Sequence, residues 1–366
     1  MRFPEFSDPW QKTTLGEVAE INPSTKGVLP HKFIYIDLEA VEKGVLLKHN
    51  IITKDNAPSR AQRLLKDHDV LFQMVRPYQQ NNLYFRSVEK IPSVASTGYA
   101  QLRSVQSGRF LYYAIHSATF LGEVLNRCTG TNYPAINATD LSSLPLSLPF
   151  LAEQRKIAEF LSLIDERIET QRQTIEEYKN LRSATIKEIS SRIVEWDSLE
   201  SLVDNGVILL KRGEIIPKSE YSSTNQYPVY SSSVKNKGLM GYTDKFMFED
   251  ERITWSIDGG GDLFYRYPHK YSVTNVCGIL EILGEYDYRF LCAILQRQHL
   301  RLRFNYQTKA HPSVIVKLYK VPRINLEQQV HYGALIASID ERIEVEEKLL
   351  GKYEEQKKYL LRKMFV

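Results

Sequence analysis

Apolar residues recur along two stretches of this chain at intervals of seven or fourteen. Leu161, Ile168, Ile175 and Ile189 form one comb, with Ile164 and Tyr178 between its teeth. Ile336, Ile343, Leu350 and Met364 form a second, with Ile339, Tyr353 and Leu360 between. Charged residues flank both. A heptad spacing keeps apolar side chains in one seam, so both stretches predict coiled-coil helices. Polar Gln171 and Arg182 interrupt the first seam, and Glu346 and Lys357 the second. Such interruptions fix register at a cost in stability. Elsewhere the period shortens. β-rich runs at 33–37, 70–75 and 253–257 alternate with Gly/Asn/Ser/Pro turns, and helical patterns occupy 109–124 and 288–304.

The sequence is also written twice. Ile-Asp-Glu-Arg-Ile-Glu occurs at 164–169 and again at 339–344, and Tyr178 matches Tyr353 at the same offset of 175. Upstream, Phe110-Leu111-Tyr112-Tyr113-Ala114-Ile115 resembles Phe290-Leu291-Cys292-Ala293-Ile294-Leu295. Asp69-Val70-Leu71-Phe72 pairs with Arg252-Ile253-Thr254-Trp255. Thr129 and Thr308 each open a loop that reaches a proline, Pro134 or Pro312. A second proline, Pro145 or Pro322, precedes each helix, and Trp10 and Trp196 mark the two starts.

The predicted order is therefore a head at 1–150, a spacer helix at 151–195, a second head at 196–325 and a distal helix at 326–366. The fold class is α+β: two mixed α/β heads related by pseudo-twofold symmetry and separated by two long antiparallel coiled-coil helices. Helices of about 40 residues span roughly 60 Å. Antiparallel packing would hold two diverged heads at a set spacing, suited to an asymmetric, two-part DNA site with an unread gap.

Charge sharpens this picture. The 366 residues carry a net +4, but each helical stretch is −1, so the heads hold +6. That permits nucleic-acid binding without demanding it. Candidate contacts lie in polar loops. In the first head they are Arg60, Arg76, Tyr78, Asn81, Thr129, Thr131, Asn132 and Tyr133. In the second they are Ser232, Lys235, Asn236, Lys237, Thr308 and Lys309. Arg can bind guanine bidentately and Asn can bind adenine, while Lys, Ser, Thr and backbone amides suit phosphates. Helix packing is assigned to Leu161, Ile164, Ile168, Ile175, Tyr178, Ile336, Ile339, Ile343, Leu350 and Tyr353, with Arg167 and Arg342 solvated or facing a partner.

Enzyme signatures are missing. There is no GxxxxGK[ST], no HExxH and no metal-ligand spacing among the eight histidines. Gly259-Gly260-Gly261 lacks fingerprint spacing and reads as a flexible turn. Cys128, Cys277 and Cys292 form no CxxC and suit reduced thiols in a cytoplasmic protein. No window offers 18 consecutive apolar residues, and the start lacks a signal core, so membrane insertion and secretion are disfavoured.

Motifs along nearly the whole chain resemble the specificity subunits of type I restriction–modification systems. They include Arg2-Phe3-Pro4-Glu5-Phe6, Ala57-Pro58-Ser59-Arg60-Ala61, Val75-Arg76-Pro77-Tyr78, Ser96-Thr97-Gly98 and Tyr133-Pro134-Ala135-Ile136-Asn137. Glu153-Gln154-Arg155-Lys156-Ile157-Ala158 and Tyr227-Pro228-Val229-Tyr230 with Gly241-Tyr242-Thr243-Asp244 add to them. The second helix departs from the pattern with Glu327-Gln328-Gln329-Val330-His331-Tyr332. The resemblance implies that the heads are target-recognition domains and that the chain performs no chemistry and binds no cofactor. It implies double-stranded DNA, two methyltransferase subunits using S-adenosylmethionine, and restriction subunits using ATP and Mg2+ as partners. The alternative is a coiled-coil scaffold whose heads bind protein or other non-DNA ligands.

Overall fold

The structure, a computed structural model, describes residues 1–365 apart from 25–28, 88–89, 223, 225, 234, 259–261, 303 and 305–308, with the backbone alone for Lys235. Two compact units divide the chain: Met1–Gln171 with Leu349–Val366, and Arg172–Lys348. Each unit thus contains one head and part of both long helices.

In the first unit an antiparallel sheet runs in the order Ala19–Ile21, Tyr99–Ser104, Val70–Gln73, Leu83–Tyr84. The second sheet orders Asn50–Thr53, Lys32–Ile36, Ser93–Ser96 and Ala61–Leu64, with the middle pair parallel. Val70–Gln73 is buried throughout. Alternation along this strand sends Val70 and Phe72 into one apolar cluster and Leu71 into another. Helix α1 (Gly108–Ala114) and helix α2 (Ala118–Asn126) cover the head. The sequence predicts one helix here. The structure breaks it, because the Ser117 hydroxyl caps a new helix by accepting from Phe120 N at 3.2 Å. A ribbon pairing Gln11–Thr14 with Pro145–Leu148 closes the head just before helix α3 (Leu151–Arg192).

The second unit repeats this plan. Its antiparallel sheet orders Ile208–Arg212, Cys277–Ile282, Arg252–Ser256 and Leu263–Arg266. Its other sheet has three strands, Leu239–Thr243, Tyr227–Tyr230 and Ser272–Val273, again with one parallel pair. Where Ala61–Leu64 stands in the first head, the second has only a single antiparallel bridge among its described residues, Phe248 with Tyr271, closed by bonds of 3.0 and 2.9 Å. The predicted helix at 288–304 is continuous as α4 (Tyr288–Leu302). The closing ribbon, Trp196–Ser198 with Lys320–Pro322, again precedes a long helix, α5 (Leu326–Met364).

Within each unit α3 and α5 pack antiparallel. Asp165 meets Lys357 at 2.6 Å and Arg167 lies over the Tyr353 ring at 5.4 Å in the first unit. In the second, Asp340 meets Arg182 at 2.5 Å and Arg342 lies over Tyr178 at 5.8 Å. These are the same contacts displaced by the repeat offset. The hexapeptide aspartate of one helix holds the basic residue that interrupts the other seam, which gives Arg182 and Lys357 their partners. Arg167 and Arg342 stay exposed, as expected, yet each rests on a tyrosine. Leu161, Ile164, Ile168, Ile175, Ile336, Ile339 and Ile343 are buried, and Tyr178, Leu350 and Tyr353 are partly buried. Leu161, Ile164 and Ile168 share a cluster with head residues such as Phe110, so the first head and its helix segments have one core.

The second helix start differs in sequence but not in construction. Buried Gln154 donates to Pro149 O at 2.9 Å, and buried Gln329 donates to Ile324 O at 2.9 Å.

Candidate nucleic-acid interface

Four loops of the first head, distant in sequence, meet at one edge of its sheets. Thr97 N donates to Arg60 O at 2.9 Å, and Met74 N to Gly98 O at 3.0 Å. Ile136 N donates to Met74 O at 3.1 Å, and Arg76 N to Pro134 O at 2.7 Å. Thr129 and Ala135 exchange backbone bonds of 2.9 and 3.0 Å. The 129–135 loop thereby extends the row that begins at Arg60. It turns at Gly130, whose φ of +90° is costly for a residue with a Cβ.

This row brings together most of the residues expected to touch DNA. The Arg76 guanidinium lies 4.3 Å from the Tyr133 ring centroid, a cation–π contact that pre-orients it. Arg60, Tyr78, Thr129, Thr131, Asn132 and Tyr133 are exposed. Asn81 is spent partly on structure, since its Oδ1 accepts from Lys43 N at 3.1 Å. Arg76 itself has φ +53° and Gln80 φ +52°, two left-handed non-glycine residues within five positions.

The second head is built likewise. Ile257 N donates to Val276 O and Ala310 N to Ile257 O, both at 3.0 Å. These bonds repeat the Gly98–Met74–Ile136 row. Ser231 N donates to Gly238 O at 2.8 Å, closing the loop that carries Ser232, Asn236 and Lys237. Asn236 and Lys237 are left-handed. Two expected contacts are engaged by carboxylates: Lys237 with Glu344 of α5, and Lys309 with Asp258 at 2.6 Å. A phosphate would have to displace those carboxylates. Thr308, the glycine run at 259–261 and the Lys235 side chain lie outside what is described.

Sequence reasoning missed four supports. Gln73 and Asn82 are buried behind the first loop, and His116 backs them. Arg266 is buried in the second head, 3.6 Å from the Tyr230 ring centroid and bonded to Thr254 Oγ1 at 2.9 Å. A lone polar residue in an otherwise apolar strand was the available signal for Gln73.

Burial pushes the His116 pKa down to about 4. An unfolded histidine titrates near 6.5, so below that pH the unfolded chain takes up a proton that the folded chain refuses. The unfolding midpoint is expected to fall as pH drops from about 6.5 towards 4, and His116→Gln should flatten that slope. An unchanged slope would show that His116 is not the group responsible. Burial also raises the thiols, Cys277 to about 11 and Cys292 to about 12. Among the described residues no group of three or more His, Cys, Asp or Glu could hold a metal ion, and no helix is long and apolar enough to cross a membrane.

The sequence model of the type I restriction modification DNA specificity domain matches residues 7–180 and 201–354. The chain belongs to this family. Its two matched segments coincide with the two copies of the head-and-helix plan. Among relatives, the chain is 36% identical over 94 residues to a putative type I specificity subunit of Mycoplasma pneumoniae, covering 24% of the chain and 30% of the relative. A second, described as the N-terminus of such a subunit, is 38% identical over 92 residues, covering 24% and 48%. The chain thus spans less than half the length of these relatives. A putative specificity subunit of Mycoplasma genitalium is 23% identical over 70% of both chains. Among solved structures, the type I S subunit of M. genitalium superposes with a TM-score of 0.65 at 17% identity, covering 100% of this chain and 99% of that one. A chain from a type I R-M system, solved for its complex assembly and conformational transition, gives 0.56 at 19%, covering 98% and 97%. These likenesses establish the fold.

Proposed function

We propose that this specificity chain reads a two-part DNA site, one half-site through the loops of each head, and performs no chemistry itself. The observation that carries the reading is the convergence of Arg60, Arg76, Tyr78, Thr129 and Tyr133 on one exposed edge, with the corresponding row in the second head. Arg76, held on Tyr133, is the residue best placed for a guanine edge. In this reading α3 and α5 set the gap, and methyltransferase and restriction subunits dock on the chain. Those partners supply S-adenosylmethionine, ATP and Mg2+, and methylation requires the target adenine to be flipped from the stack. The setting is the cytoplasm.

Replacing Arg76 tests this. Arg76→Asn tolerates the left-handed backbone and removes the guanidinium, and is expected to cost about ten- to a hundredfold in discrimination at one half-site only. Duplex binding should also weaken steeply with salt, as phosphate contacts release counterions. Full discrimination in Arg76→Asn would remove Arg76 from the interface, and a flat salt response would favour the scaffold reading.

A further inference from the structure

We infer that Gln73 is the positioning residue that sets the shape of the Val75–Asn82 loop and so the aim of Arg76 and Tyr78. The inference rests on the proposal that this loop reads DNA. Gln73 ends the buried strand Val70–Gln73 and is 2% exposed. Its side chain is divided between two loop residues: Nε2 donates to Gln79 Oε1 at 2.9 Å, and Oε1 accepts from Asn81 N at 3.0 Å. Its backbone N donates to Asn82 Oδ1 at 2.8 Å. One buried residue therefore engages positions 79, 81 and 82 together.

Asn82 extends the anchor into the head. His116 Nδ1 lies 2.6 Å from Tyr112 O, which can only accept, so Nδ1 carries the proton and the 3.3 Å contact of Asn82 Nδ2 with Nε2 runs from the amide to the ring. The chain of bonds runs from α1 through His116 and Asn82 to Gln73 and out to the loop. This matters because the loop holds two left-handed residues, Arg76 and Gln80, neither of them glycine. Such a conformation persists only when surrounding bonds over-determine it. The near end is fixed by Arg76 N on Pro134 O. The far end is fixed by Gln73. Gln73 touches no base in this scheme, because it is enclosed behind residues that are exposed.

The test uses the full chain assembled with its methyltransferase partner and a duplex library with single base changes in both half-sites. Gln73→Met keeps length and apolar volume but removes both side-chain bonds. It is expected to lose about tenfold in discrimination at the half-site affected by Arg76→Asn, with the other half-site read as before. In an Arg76→Asn, Tyr78→Ala background Gln73→Met should add little, since it acts through those two side chains. If Gln73→Met does not fold, Gln73→Asn stays polar but falls a methylene short of Gln79 and Asn81, and the same relaxation is expected. A folded Gln73 variant with full discrimination, beside an Arg76→Asn that has lost it, overturns the inference alone. Full discrimination in both removes the loop from the interface and the inference with it. Equal loss at both half-sites would mark Gln73 as a general stability residue and also overturn it.

Discussion

Trp255→Ala is expected to lower the unfolding free energy of the second unit by about 3–5 kcal/mol and to abolish reading by its head. The Trp255 ring is 1% exposed and packs in the cluster that joins Leu199, Leu280, Leu291 and Val321. It lies so close to Gly278 of the neighbouring strand that a Cβ there would come within 2.0 Å of the ring. Sequence and packing agree at this point: the glycine opposite is what gives the indole its place. Truncation would leave a cavity the size of that ring, which the rigid sheet could not collapse to fill. The indole also bonds outward. Its Nε1 donates to Ala310 O at 2.7 Å, tying down the segment that carries Lys309. Trp255→Phe, which keeps an aromatic ring but no donor, separates the two roles. It should cost less stability and still loosen the Lys309 segment. Calorimetry with duplex binding at the second half-site checks both. An unfolding midpoint unmoved by Trp255→Ala would contradict the packing argument.

Asp165→Ala should destabilise the first unit by about 2–4 kcal/mol, more than Asp340→Ala destabilises the second. The repeat makes these residues equivalents, and each pairs with a seam cation of the opposite helix. Their surroundings differ. Asp165 also accepts from Tyr113 OH at 2.8 Å, and that tyrosine is 2% exposed. Burial, and secondarily the charge of Asp165, raises the Tyr113 pKa, so the hydroxyl remains a donor across the working pH range. Removing Asp165 strands both this donor and Lys357, whose side chain is only 22% exposed. At the matching position in the second unit stands Ala293, which offers no donor. Arg182 and Asp340 are 29% and 42% exposed, so water can take over much of their pairing, and about 1 kcal/mol or less is expected there. Urea unfolding of the two variants decides the matter, and equal losses would count against the role given to Tyr113.

Some features were legible because they are periodic or local. The comb of Leu161, Ile168, Ile336 and Ile343 needs only a count of sevens to identify a helical seam. The shared hexapeptide needs only comparison of the chain with itself. The break between α1 and α2 was local too, but the pattern of 109–124 hid it, since apolar spacing continues across Ser117 while its hydroxyl starts a new helix. Loop chemistry was half-legible. Arg76 and Tyr133 could be named as polar or aromatic loop residues, but their stacking joins positions 57 apart in the sequence. The engagement of Lys237 by Glu344 spans still more chain, and the loop sequence alone gave Lys237 only as a candidate DNA contact.

What the sequence determined by itself is the duplication, the two long helices, the mixed α/β heads and the polar loops where the candidate contacts cluster. Each follows from spacing along the chain. Only the tertiary structure decided which lysines of the loops meet carboxylates, which polar residue aims the Val75–Asn82 loop, and which partners hold Arg182 and Lys357 in the seams. The physical reason is that hydrogen bonds and ion pairs act over about 3 Å in space. Strand order and helix direction decide which distant residues come within that range.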